Sequence, residues 1–290
     1  MTAPKFEKQN HHYVPQFWQR GFRATNGHLF ARIGNKVKIV STKSTMQVDW
    51  LYTIFDNQWR PSDALEDAFS AIEGHDAQLL QRLHTPGYIT TSDDEAQLCA
   101  LLGLQASRHP DVLQRGHNLS REFGKLLASV HDVSLEEFLA LVGSYGIDPS
   151  DGHDLYISLK SRTKAQLAEE LAAMLQLSPQ SGQLPLQDAI RAAPKIEATI
   201  AGMQLRLLDA VPPLAFVLGD TPIPQSNLIL GFSVPLSKSL AVIATSAGPG
   251  KSPMTRRVAT RQEVGGINRI QFENALETVI GPSADLLKSL

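Results

Sequence analysis

A single cysteine, Cys99, is all the thiol chemistry this chain contains. It forbids an internal disulfide and fits a reducing compartment, with the cytoplasm as the default expectation. Its apolar, helical setting points to a buried thiol rather than a nucleophile. An excess of one charge is lacking too: 27 basic and 29 acidic residues leave a formal net charge of −2. Bulk electrostatics therefore demand neither nucleic acid nor a membrane surface. No apolar run approaches the ~20 residues that span a bilayer, and Pro212 and Pro213 break the richest one. No membrane partner is expected. Thr2 to Lys8 have no apolar core of the kind a signal peptide needs. Internal repeats and low-complexity tracts are absent. So are a Gly-x-Ser-x-Gly elbow and a His-Glu-x-x-His zinc pattern. Gly248-Pro249-Gly250-Lys251-Ser252 is not a phosphate loop, because Thr245 stands where the first glycine belongs and Pro253 follows where a helix should begin.

What is present starts at Asn10. Two histidines, His11 and His12, stand just before a short aromatic helix. Pro15 suits its first turn, where a missing N–H costs nothing. Phe17, Trp18 and Phe22 give it an apolar body, with Arg20 as a polar break. Neutral imidazole serves as base or metal ligand. Adjacent residues on an extended segment point to opposite sides, so His11 and His12 are expected to face different surroundings.

His11-His12-Tyr13-Val14-Pro15-Gln16-Phe17, followed by Arg20 and Phe22, resembles the opening signature of a bacterial family known only as domain-of-unknown-function family 4238. Looser matches follow in order: Tyr52-Thr53, Glu66 and Glu73, Gly219-Asp220-Thr221-Pro222-Ile223, Val234-Pro235-Leu236-Ser237, and Asn268 with Ala275. The chain departs from the family pattern at Trp18-Gln19, Gly219 and Thr221. The resemblance implies a shared fold and a shared polar site, and it lends no activity. The family also tends to carry an arginine at the position of Arg108.

Chain length, with 290 residues, and 42% hydrophobic content suit one large domain or two modest ones. The turns Asn26-Gly27 and Gly34-Asn35-Lys36 flank Leu29–Ile33 and turn the chain back into Val37–Val40. Trp50–Ile54 reads as a third strand. A helix capped at Ser62 or Asp63 runs to about His84. It places Glu66 and Glu73 on one face, two turns apart. A second helix opens at Ser92 with acids in its first turn and ends near Arg108. Arg108 suits a helix C-terminus, and its guanidinium also suits an anion or a carboxylate. Further helices are expected over 111–130, 134–145, 163–177, 186–209 and 267–280, with a loop over 147–154. Buried strands are expected over 214–218, 228–232 and 240–244. Asp220 sits at the end of the first of these, either presenting a carboxylate or capping its own backbone. The fold class expected is α+β. N-terminal hairpin strands and C-terminal strands share a mixed sheet, packed with a long helical middle region. Residues 1–290 form a single domain in this reading, with a helical insert over 90–210 as the alternative.

Three functions follow, the first two from different classes. In the first, His11, His12, Glu66, Glu73, Arg108 and Asp220 share a catalytic pocket. His12, Glu73 and Asp220 hold a divalent metal, magnesium or manganese, whose hydroxide attacks phosphorus. Arg108 and the basic loop through Arg256, Arg257 and Arg261 bind nucleic acid or another phosphodiester. This describes a metal-dependent phosphodiesterase or nuclease-type hydrolase. The setting, a bacterial defence or toxin system, comes from the company the resembling family keeps in genomes. In the second, the same residues are a buried polar network that pins the N-terminal segment onto the core of a non-catalytic interaction, immunity or sensor module with a protein partner. A small-molecule hydrolase is a third.

Overall fold

Gly27 and Gly34 both adopt positive φ, +82° and +55°, and between them the chain makes its first strand of a hairpin. A computed structural model describes residues 10–49, 51–52, 54–55, 61–62, 64–85, 87–110, 112, 129–143, 147–167, 183–224, 227–248 and 250–290. The elements of the first half are β1 (Asn10–His12), α1 (Gln16–Arg20), β2 (Leu29–Ile33), β3 (Lys36–Val40), β4 (Gln47–Asp49), β5 (Ile54–Phe55), β6 (Pro61–Ser62), α2 (Ala64–His84), α3 (Ser92–Ser107), α4 (Leu135–Gly143) and α5 (Pro149–Lys160). After them come α6 (Gln183–Ala201), β7 (Gln204–Asp209), β8 (Leu218–Gly219), β9 (Phe232–Ser237), β10 (Leu240–Thr245), β11 (Thr255–Val258), α7 (Arg261–Asn274), β12 (Thr278–Gly281) and α8 (Ala284–Lys288). The class is α+β, as expected.

The chain divides into two compact units. One comprises Met1–Thr53, Ser62–Val112 and Ala189–Leu290; the other comprises Ile54–Pro61 and Leu113–Asp188. In the larger unit, the hairpin strands do share a sheet with the chain's end, in the order β3-β2-β12-β8. A second four-stranded sheet runs β11-β7-β10-β9, with only the β11–β7 pair parallel. Both of its faces contribute to the core, through Leu205, Leu207, Val234, Leu236, Ala241 and Val242, all fully buried.

Strand β9 ends this sheet, and α1 covers its outer edge. The Trp18 indole N–H donates to the Pro235 carbonyl at 3.0 Å, and the Lys238 N–H donates to the Gly21 carbonyl at 3.1 Å. Gly21 permits the approach, since a Cβ there would lie 3.0 Å from the Ser237 Cβ. Trp18 is fully buried, so Trp18→Phe removes a donor and leaves the Pro235 carbonyl orphaned. The expected loss is about 2 kcal/mol, read from the urea midpoint. A change near zero would show that the indole contributes volume alone.

Several boundaries differ from the sequence reading. The long helix expected over 186–209 stops at Ala201, and Gln204–Asp209 is strand β7. Leu205 and Leu207 alternate with exposed Arg206, a period of two that follows Gly202. The last helix covers Arg261–Asn274, not 267–280, because Thr260 caps it in a reciprocal box with Glu263. Thr278–Gly281 is then free to become β12. Residues 228–230 form a 3-10 turn and strand β9 starts after Gly231. Residues 214–217 are not a strand. Asn268 and Gln271 on α7 bond their backbone instead: the Asn268 amide reaches Val217 N–H and Ala215 C=O, at 3.0 and 2.9 Å. Gln271 accepts from Gly219 N–H at 3.0 Å, and a Cβ on Gly219 would lie 2.5 Å from the Gln271 carbonyl. Leu51-Tyr52 forms a turn rather than the third strand expected there. Trp50 and Thr53 lie outside the described residues, as do most of the helix expected over 111–130 and the span 168–182.

In the smaller unit, α4 and α5 pack around Val130, Phe138, Val142 and Leu159. The loop expected over 147–154 is helical from Pro149. Asp148 accepts from Ser150 N–H at 2.9 Å as its cap, and Pro149 occupies its first turn.

Candidate functional site

Strand β1 pairs with β4, and this fixes the two histidines on opposite sides of an extended segment. His11 is fully buried. Its Nδ1 accepts from the Tyr52 N–H at 2.7 Å, and its ring stacks on Tyr52 with centroids 5.6 Å apart. His12 faces the other way and is half-buried. Burial pushes its imidazole below the usual histidine value, and the charges of Arg108 and His11 add to this; backbone hydrogen bonds at Thr42 and Lys43 oppose it. Its Nε2 is buried without a hydrogen-bond partner. His12 is therefore a neutral imidazole at pH 7, with one nitrogen uncommitted.

Arg108 follows the last turn of α3 and lies at the centre. Its Nη1 donates to Glu73 at 2.9 Å, its Nη2 donates to the His12 carbonyl at 3.1 Å, and its guanidinium lies 4.4 Å from the centre of the Phe69 ring. The Tyr52 hydroxyl donates back to the Arg108 carbonyl at 3.0 Å. Burial opposes the charge on Arg108, yet Tyr52 and Glu73 hold its guanidinium above the usual arginine value. Burial also pushes the Tyr52 phenol up. Glu66 is half-buried on the same face of α2 as Glu73, and its charge acts on Tyr52. His11, Glu66, Glu73 and Arg108 thus gather around Tyr52, and His12 is tied to them through its backbone carbonyl on Arg108.

Asp220 is held differently. Its Oδ1 accepts from Leu276 N–H at 2.8 Å, and its Oδ2 accepts from Glu277 and Thr278 N–H at 2.9 and 2.8 Å. The carboxylate ties the α7–β12 connection rather than its own turn. Its neighbour Thr221 brings its hydroxyl 3.3 Å from His109 Nε2, one residue after Arg108. Among the described residues, no three His, Cys, Asp or Glu side chains are arranged to hold a metal ion. The set expected for that role, His12, Glu73 and Asp220, is not assembled: Glu73 is paired with Arg108, and Asp220 with three amides.

Two glutamines complete the arrangement, and the sequence reading gave neither of them a role. Gln19 donates to the Val14 and Thr45 carbonyls at 2.7 and 3.1 Å, and Gln105 donates to the Tyr13 carbonyl at 2.8 Å. Both are buried. Each stands among apolar helix neighbours, which was the available signal, since a buried amide there needs backbone partners.

Arg256, Arg257 and Lys251 of the basic run are also committed, while Arg261 is exposed at the start of α7. Arg256 grips Asp209 through two bonds of 2.7 Å, Arg257 pairs with Glu263, and Lys251 donates to the Ala201 carbonyl at 2.6 Å. No helix among the described residues is long and apolar enough to cross a membrane. Residues 10–285 match the family model described as a protein of unknown function (DUF4238). No curated protein and no solved structure matches.

Proposed function

We propose, for a chain that belongs to the DUF4238 family of proteins of unknown function, a non-catalytic role as a protein-interaction module whose polar network pins its N-terminal segment to the core. One observation carries this reading: Arg108, 4% exposed at its side chain, joins Glu73 on α2 to the His12 carbonyl on β1. Gln19 and Gln105 hold Val14 and Tyr13 on the same segment. The hydrogen-bonding capacity of Arg108 and Asp220 is directed at the protein's own backbone and side chains. Bonds from buried side chains to the backbone of one segment make a single arrangement of that segment better than its alternatives.

A second reading, the phosphodiesterase or nuclease, is favoured by His12 alone. Its neutral imidazole and unpaired Nε2 suit a general base or a metal ligand. One experiment separates the two. Bound metal is measured on the purified chain, and single-strand and duplex nucleic acids are incubated with it in magnesium or manganese. The module predicts no stoichiometric metal and no cleavage. It also predicts that His12→Ala lowers stability by about 1 kcal/mol through its lost backbone bonds. Stoichiometric metal that disappears in His12→Ala, with cleavage lost beside it, overturns the module.

A further inference from the structure

Helices α2 and α3 pack together in the larger unit, and a cavity of about 380 Å³ opens along them. Asp76 lines it and is only 4% exposed. It sits on the buried stripe of α2, one heptad after Phe69 and in line with Leu79, Leu80 and Leu83. An aspartate in such a stripe needs compensation, because burying a carboxylate without donors costs several kcal/mol.

The compensation present is thin. Arg82 also lines the cavity, but its Nε and Nη2 donate to Asp94 at 3.0 and 2.9 Å. The same Nη2 donates to the Gln97 side-chain oxygen at 3.1 Å. That bond orients the Gln97 amide so that its NH₂ faces Asp76 and acts to hold the carboxyl down against burial. Arg108 acts on Asp76 electrostatically but is paired with Glu73, and Glu73 itself repels it. His75 is exposed and acts weakly from the rim. Ile72 and Ala100 provide apolar wall. The result is a polar floor short of positive charge under a short greasy flank.

We propose that this cavity binds small organic cations, a primary amine or a guanidinium on a short alkyl stem, with Asp76 as counter-ion and Gln97 as its positioning partner. The size suits a ligand of that class. The stem lies on Ile72 and Ala100, and the head replaces the solvation Asp76 has lost. Its lining residues are not members of the network that holds the N-terminal segment, although Glu73 and Arg108 act on Asp76 electrostatically from that network.

Burial, reinforced by Glu73, raises the Asp76 carboxyl to about 6 from 3.8. A cation therefore competes with a proton below that value. Affinity should fall about tenfold between pH 7.5 and pH 5. The sign for folding is opposite. A carboxyl whose folded pKa is raised contributes its full stability below the unfolded value and loses it as pH rises through about 6. Asp76→Asn never ionises, so it should melt higher than the parent chain above that pH.

The test titrates the full chain with agmatine and butylamine, followed by calorimetry and amide shifts, against butanol as the neutral control. Both cations should bind and butanol should not. Asp76→Asn should weaken binding at least tenfold while remaining folded. His75→Gln should keep both the binding and its pH step. The proposal fails if butanol binds as well as butylamine, if Asp76→Asn binds unchanged, if His75→Gln removes the pH step, or if no cation binds at millimolar concentration.

Discussion

Arg108→Ala is expected to destabilise the chain by about 3–5 kcal/mol, the range found when one partner of a buried ion pair is removed. The reasoning starts from burial. The Arg108 side chain is 4% exposed, whereas Glu73 is 24% exposed. Truncation leaves Glu73 able to recover some water, so the larger part of the loss lies elsewhere. The His12 carbonyl loses its donor, and Phe69 and Tyr52 lose the guanidinium that lies 4.4 and 5.3 Å from their ring centres. Lysine is not a substitute, because its single ammonium cannot serve Glu73 and the His12 carbonyl while stacking on an aromatic face. Glu73→Ala should be similarly costly from the other side, since it strands a buried cation. The measurement is urea unfolding of both variants and their double mutant. A double mutant no worse than either single variant identifies the pair as one unit. Single losses below about 1 kcal/mol would remove Arg108 from the centre of the network.

Asp220→Ala should cost nearly as much, about 3–4 kcal/mol, from three backbone N–H groups losing their acceptor at once. The three are not equal. Leu276 is 55% exposed and its amide can turn to water, while Thr278 is buried at the start of β12. Hydrogen exchange should reveal this order, with Thr278 losing the most protection. Asp220→Asn keeps one acceptor oxygen but turns amide hydrogens towards other donors, so it should recover less than half the loss. A metal-ligand role makes a different prediction: both variants would fold as well as the parent and differ only in metal content.

The parts of this architecture that the sequence made legible are those governed by local rules. The hairpin of β2 and β3 is announced by its glycine turn, and α2 and α3 by apolar spacing and acidic first turns. The opposite orientations of His11 and His12 follow from the geometry of an extended chain. What was not legible depends on partners distant in sequence. Asp220 looks like a local turn former, and its carboxylate instead binds amides 56 to 58 residues away. Asn268 falls at the start of the helix expected over 267–280, and it is a mid-helix side chain serving the backbone at Ala215 and Val217. Strands β7 and β12 were hidden because each directly follows a helix and continues its apolar content. Only the breaks at Gly202 and at Ala275 to Glu277 mark the change of period.

Helix α1 has one more consequence, through its place beside β9. An uncovered strand rim is a template for strands from other molecules, and proteins blunt such rims with prolines or overlying segments. Here Pro235 and the Trp18 contact do both on the same stretch. Damage to the N-terminal segment should therefore show first as self-association and turbidity, at temperatures where the sheet itself is still folded.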